Sequence, residues 1–171
     1  ELWLRLVLHE LHAARKTLQA NKLRPAFKML SRVARIFEQL NNAWDVLRTM
    51  TPSEYTSFRA SLGQSSGFQS FQYRQIEFLL GNRNPAMLMP HAHRSADHAV
   101  LSQELTQPSL YDVALQQLAG SLPLPDHVLA RDLGGPYTAD DAVTAVWTKV
   151  YQSPDQYWDC LLYTSPSPRD R

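Results

Sequence analysis

Tyr55 and Arg59 stand four residues apart in a stretch, residues 51–82, that is rich in polar and aromatic side chains. On a helix that spacing puts both on one face. A guanidinium gives a carboxylate two parallel N–H donors, and a phenol beside it adds a third. The pair is therefore a candidate anion clamp, although the same spacing also serves an ordinary surface or interface contact. Gln64-Ser65-Ser66-Gly67 follows as a small, donor-rich turn. Arg74 and Glu77, three apart, can pair with each other or leave the guanidinium to a ligand's acid. His91, His93 and His98 could chelate a metal, but the loop around them is broken by Pro85 and Pro90, and its plainer reading is solvated histidines. Asp140 and Asp141 sit at a helix start, where they favour the helix dipole rather than acid–base work. The sequence has no phosphate-cradling glycine loop, no HExxH, no CxxC and no Gly-x-Ser-x-Gly elbow.

The elements that must hold these groups read as helices throughout. Thr51-Pro52-Ser53-Glu54 is a capping box with Pro at the first helical position, and Gly63 stops the helix it starts. Residues 1–21 carry an apolar stripe of Leu4, Leu8, Leu11 and Leu18. A longer helix starts near Arg24-Pro25. In it Ala26, Leu30, Val33, Phe37, Leu40, Trp44 and Leu47 recur at steps of four and three, which is the seam of a bundle. On that seam Trp44 reads as core. Further helices are predicted over 68–80, 95–105, 109–119 with Ser109 as cap, 126–131, and from a Thr138 cap to about 152. Pro154 would start one more. Met87, Leu88 and Met89 are expected to plug an apolar surface. No region alternates as a strand does, so the class is all-α, a helical bundle without internal repeats.

Composition removes several functions. The chain has 171 residues, 44% of them apolar, which suits one globular domain with a substantial core. Seventeen basic side chains against sixteen acidic ones leave a formal charge of +1, with no basic excess for nucleic acid. No run of 18 apolar residues could span a membrane. The one cysteine, Cys160, forms no internal disulfide and fits a reducing compartment. The first residues look like an amphipathic helix rather than a cleaved signal.

The run ThrProSerGluTyr at 51–55, then PheArg, SerSerGlyPheGlnSer, TyrArg and GluPheLeuLeuGlyAsn up to 82, resembles the tryptophan 2,3-dioxygenase family. Glu1-Leu2-Trp3 resembles the start of that family's substrate-site helix, and the likeness extends to Gln156-Tyr157-Trp158. The resemblance implies an all-helical, haem-dioxygenase-like fold assembled as a cytoplasmic homotetramer. It implies that haem b and O2 open the pyrrole ring of L-tryptophan to give N-formyl-L-kynurenine. Arg59 then matches the arginine that binds the substrate carboxylate, and Tyr55 the tyrosine beside it. Ser66 and Gly67 match the turn close to haem and substrate. Trp44 would lie near the haem pocket, and Arg74 could meet a haem propionate.

Departures from the family pattern matter as much. Its proximal haem histidine stands in a Trp-Arg-Phe-Arg-His context, which none of His9, His12, His91, His93, His98 and His127 shares. The sequence therefore supplies no metal ligand of that type. Residues 1–160 are expected to form a partial helical domain, truncated at both ends. The Ser/Pro/Arg-rich residues 161–171 are expected to be foreign to it, or else a native flexible end. A non-catalytic helical scaffold or oligomerisation module remains the alternative to a dioxygenase fragment.

Overall fold

A computed structural model describes residues 1–66, 69–120, 122 and 124–153. It is helical, with no strand among the described residues. The helices are α1 (Leu2–Gln19), α2 (Leu23–Leu47), α3 (Pro52–Arg59), α4 (Phe71–Leu80), α5 (Ser95–Leu105), α6 (Leu110–Ala119), α7 (Asp126–Leu129) and α8 (Asp141–Gln152). A 3-10 turn, Ala60–Leu62, extends α3, and a second one, Pro85–His91, joins α4 to α5. The tail at 161–171, the helix expected from Pro154 and the segment Gln156-Tyr157-Trp158 lie outside the described residues.

The main core lies where α1 and α2 pack as a hairpin against α4 and α6. Val7, Leu11 and Ala14 of α1 meet Ala26, Val33 and Ile36 of α2, with Ile76, Leu79 and Val113 closing the cluster. A second cluster joins Leu115 and Leu118 of α6 to Leu122, Val128, Val143 and Val150. Helix α6 thus presents its first turns to one core and its last turns to the other. Phe78, Leu101 and Leu105 form a third cluster, covered by Phe71, Met87 and Leu88.

Local chemistry fixes most helix ends. Thr51 accepts from Glu54 N while the Glu54 carboxylate accepts from Thr51 N at 2.7 Å, so the predicted capping box forms. Ser109 makes a second box with Asp112. Gly81 ends α4 in the left-handed region at φ +116°, and a Cβ there would stand 3.1 Å from the Tyr111 Cβ. Glycine therefore serves both the turn and the close approach of α6.

Four expectations need correction. Helix α4 begins at Phe71, with Ser70 as its cap, rather than at 68; Phe68 itself is outside the described residues. Helix α8 is capped by Asp140, whose carboxylate accepts from Ala142 N at 2.8 Å, rather than by Thr138. The α2 seam is covered only as far as Leu40; Trp44 is 60% exposed and Leu47 50%, so Trp44 is not a core residue. Met89 is 77% exposed and plugs nothing, whereas Met87 and Leu88 do pack.

Buried charge ties the helices together. Arg83 is 1% exposed and donates to five carbonyls: Phe78 O and Leu105 O at 3.1 Å, Gln107 O at 2.6 Å, Glu104 O at 3.3 Å, and Leu133 O. Two of these helices, α4 and α5, point their negative C-terminal ends at it. Arg15 on α1 pairs with the buried Glu104 and donates to Pro108 O at 3.1 Å. Asp112 accepts from Arg131 Nε at 2.7 Å. Burial pushes the Asp112 carboxyl upward, but its bonds from Arg131 and Ser109 outweigh that and hold it below the usual range.

Arg83→Met should leave those carbonyls without a donor. The loss expected is at least about 3 kcal/mol, or roughly 10 °C in Tm, and Arg83→Lys should not recover it because an ammonium cannot span the same fork. Calorimetric melting of the three proteins tests this, and a variant melting within about 2 °C of the parent would deny Arg83 its clamp role.

Two histidines should make the fold acid-labile. Burial holds both His12 and His91 below the ordinary imidazole value; the Arg15 charge adds to this at His12, against an opposing pull from Glu104, and the Arg74 charge adds to it at His91. A depressed folded pKa means the neutral form is favoured by folding. That contribution is complete above the ordinary imidazole value of about 6.5 and is lost as the pH falls through the folded value. Urea unfolding should therefore give lower stability near pH 5 than near pH 7.5. Combining His12→Gln with His91→Gln should flatten the difference, and an unchanged slope would assign the acid sensitivity to other groups.

Candidate functional site

Helix α3 carries the proposed clamp, and none of its residues is buried. Tyr55 packs edge-on against Phe58, with ring centroids 5.5 Å apart. Arg59 donates through one guanidinium nitrogen to Gly63 O at 2.8 Å, closing the end of its own helix. The shared-face expectation is thus not realised as a joined pair. Each side chain satisfies itself locally, and neither lines the cavity that gathers the other candidates.

That cavity, of about 690 Å³, opens between α1, α2 and α4. The volume lies within the ~300–1,000 Å³ usual for small-molecule sites. Its apolar wall is Leu4, Phe37, Leu40 and Trp44, and its polar side is Ser66, Ser70, Tyr73, Arg74 and Glu77. Trp44, Ser66 and Arg74, which lie far apart in sequence, are brought together here. Gly67, the fourth residue of that set, lies outside the described residues. The exposure of Trp44 has its explanation here: the uncovered end of the α2 seam is the wall of a cavity.

Arg74 is the buried charge of this wall, 5% exposed. It pairs with Glu77 on the same helix, as the three-residue spacing allows. The second Glu77 oxygen accepts from Asn82 Nδ2 at 3.2 Å. The Arg74 Nε has no partner although it is buried. Ser66 is set by its own backbone, which donates to Gln69 Oε1 at 3.1 Å.

His91 corrects the sequence reading most. It is 1% exposed rather than solvated, packs edge-on near Phe71 at 6.4 Å between centroids, and leaves its Nε2 without a partner. No three His, Cys, Asp or Glu side chains gather as a metal site among the described residues, so His91, His93 and His98 do not assemble as one. Sequence reasoning also missed Arg83 and Glu104, whose roles depend on segments 20 or more residues away.

No helix among the described residues is long and apolar enough to cross a membrane. A family model described as tryptophan 2,3-dioxygenase matches residues 1–157. A tryptophan 2,3-dioxygenase of Ruegeria pomeroyi is 61% identical over 160 residues, covering 93% of this chain and 58% of the relative. That of Bradyrhizobium diazoefficiens is 56% identical over 164 residues, covering 95% and 58%. That of Pseudomonas aeruginosa is 55% identical over 160 residues, covering 93% and 56%. The chain therefore spans less than three fifths of the length of these relatives.

Proposed function

The chain belongs to the tryptophan 2,3-dioxygenase family, and from that premise we infer that it forms part of a haem-dependent enzyme that opens the pyrrole ring of L-tryptophan with O2 to give N-formyl-L-kynurenine. The observation that carries this reading is the cavity joining Trp44, Ser66 and Arg74. Its residues fit the edge of a haem. Leu4, Phe37, Leu40 and Trp44 offer an apolar surface to a porphyrin face, and the buried Arg74 suits an acidic side chain at the rim. No histidine lines the cavity, so these walls supply contacts to the porphyrin and no ligand to iron. When bound, haem supplies the oxygen chemistry.

This chain's own residues bind and orient. A zwitterionic amino acid entering a dry pocket needs its carboxylate paired, because an unpaired buried charge is too costly. In this reading Arg59 exchanges the Gly63 carbonyl for that carboxylate, and Tyr55 adds a donor after leaving Phe58. A held carboxylate fixes where the indole lies, which is catalysis by positioning. Exposed Val46, Leu47, Phe58 and Leu62 give α2, α3 and its 3-10 extension an apolar surface suited to further protein contacts. That surface supports a homotetramer, and a cytoplasmic location belongs to the same proposal. The rival reading, a non-catalytic helical scaffold, draws on Arg59 being engaged within its own helix.

In the holoenzyme, Arg59→Leu should weaken L-tryptophan binding about 10- to 100-fold, the loss of a charge-assisted pair of roughly 1.5–3 kcal/mol. Tryptamine, which has no carboxylate, should bind parent and variant alike. Calorimetric titration measures both, and equal L-tryptophan affinity in the two proteins would remove Arg59 from the site.

A further inference from the structure

Arg74 lines the cavity and is itself only 5% exposed. Its guanidinium has one partner among the described residues, the Glu77 carboxylate, which accepts from Nη1. The edge formed by Nε and Nη2 is left over, and Nε is buried with no partner. On that edge the two N–H bonds run parallel, as side-on pairing with a carboxylate requires. Buried polar groups in native proteins are nearly always paired, so an unsatisfied arginine edge in a cavity wall calls for an acceptor that the chain does not itself supply.

Glu77 is held in turn. Its other oxygen accepts from Asn82 Nδ2 at 3.2 Å. Asn82 follows Gly81, the left-handed stop of α4, and its backbone N–H donates to Glu77 O at 2.9 Å. The end of the helix therefore grips Glu77 through backbone and side chain at once. Arg74 and Glu77 stand three apart on α4, so one helix sets both sides of the pair. A carboxylate gripped at one oxygen presents the other to Arg74 in a fixed direction. An arginine has several rotatable bonds, and two parallel bonds to a ligand's acid form only when its plane is set. Glu77 also lines the cavity, so its negative charge stands near any acid that enters. Toward such an acid its charge is unfavourable and its bond to Nη1 favourable. A glutamine at this position retains an acceptor without the charge, which separates the two effects.

We propose that Glu77, held by Asn82, is the positioning residue for Arg74: it occupies Nη1 and so leaves the Nε–Nη2 edge to pair side-on with an acidic side chain of the porphyrin. This inference rests on the reading of the cavity as a porphyrin site. It makes the carboxylate of Glu77 the group that selects which edge of Arg74 the ligand meets.

Metal-free protoporphyrin IX and its dimethyl ester test this on the chain itself, since neither needs an iron ligand. Porphyrin absorbance and tryptophan quenching report binding, and circular dichroism checks folding. The parent chain should prefer the free acid about tenfold, in line with a charge-assisted bond. Arg74→Leu should abolish the preference. Glu77→Leu and Glu77→Ala should cut it below about threefold while ester affinity stays unchanged. Glu77→Gln, whose amide oxygen still accepts from Nη1, should keep the parent preference or exceed it. A preference undiminished or raised in Glu77→Leu overturns the positioning role, because the carboxylate would then only repel the ligand. A preference that falls in Glu77→Gln as far as in Glu77→Leu overturns it too, as does ester binding lost in step with acid binding. No preference in the parent, or one surviving Arg74→Leu, overturns the cavity reading and this inference with it. If Arg74→Leu loses the preference and Glu77→Leu keeps it, the cavity reading stands and only the role of Glu77 falls. Should Glu77→Leu and Glu77→Ala not fold, nitrogen-15 NMR of the parent chain decides: slow rotation of the Arg74 guanidinium, with separate Nη signals, is expected, and a single averaged signal overturns the proposal.

Discussion

The guanidinium of Arg83 holds the carbonyl ends of α4 and α5 together with the turn at Leu133. The rest of the described structure depends on this constraint. A cation at the negative ends of two helices is favoured by their dipoles, and its burial is tolerable because its donors meet carbonyl oxygens. With the C-terminal end of α4 held there, Ile76 and Leu79 pack the second half of that helix into the core formed with α1 and α2. The face bearing Phe71, Arg74 and Glu77 is then presented to the cavity and to the 3-10 turn. Arg15 and Glu104 add a second tie, from α1 to α5. The buried charges of the fold and the charge of the cavity wall therefore sit on one connected frame.

The two halves of the site differ in physical character. The cavity wall is made by packed helices, and its charged group is buried and paired. The clamp helix, α3, contributes no buried residue, and Tyr55 packs on Phe58 and Arg59 bonds Gly63 O within their own segment. A guanidinium bonded to a backbone carbonyl of its own helix end gives up little when a carboxylate takes its place. Local satisfaction of this kind is compatible with later recruitment. The apolar side chains left uncovered on α2 and α3 point the same way, since they leave that region open to additional surface.

Much of the fold was legible because its signals are local. The box at Thr51 and the cap at Ser109 need only residues within one turn and both form as expected, and the predicted helix end at 80 falls where Gly81 stops α4. The all-α class followed from apolar periodicity. The seam of α2 was legible as a stripe, but periodicity states which face is apolar and not how far a neighbour covers it; coverage ends near Leu40. His91 was misjudged because prolines mark an irregular segment, and irregular segments are usually solvated. Its burial comes from packing among distant segments, among them Phe71 of α4, which its ring meets edge-on. Arg83, following Gly81 and Asn82, had no neighbouring signal at all.

Sequence alone determined the helical class, the capped starts of α3 and α6, and, through long runs of matching residue types, the family. Those properties reside in spacing and composition, which one strand of text carries in full. Only the tertiary structure decided that Trp44, Ser66 and Arg74 share a wall, that His91 is buried beside α4, and that Arg59 turns to Gly63. The physical reason is that burial and pairing depend on which distant segment arrives opposite a side chain. That is settled by packing several faces at once, and no interval along the chain records it.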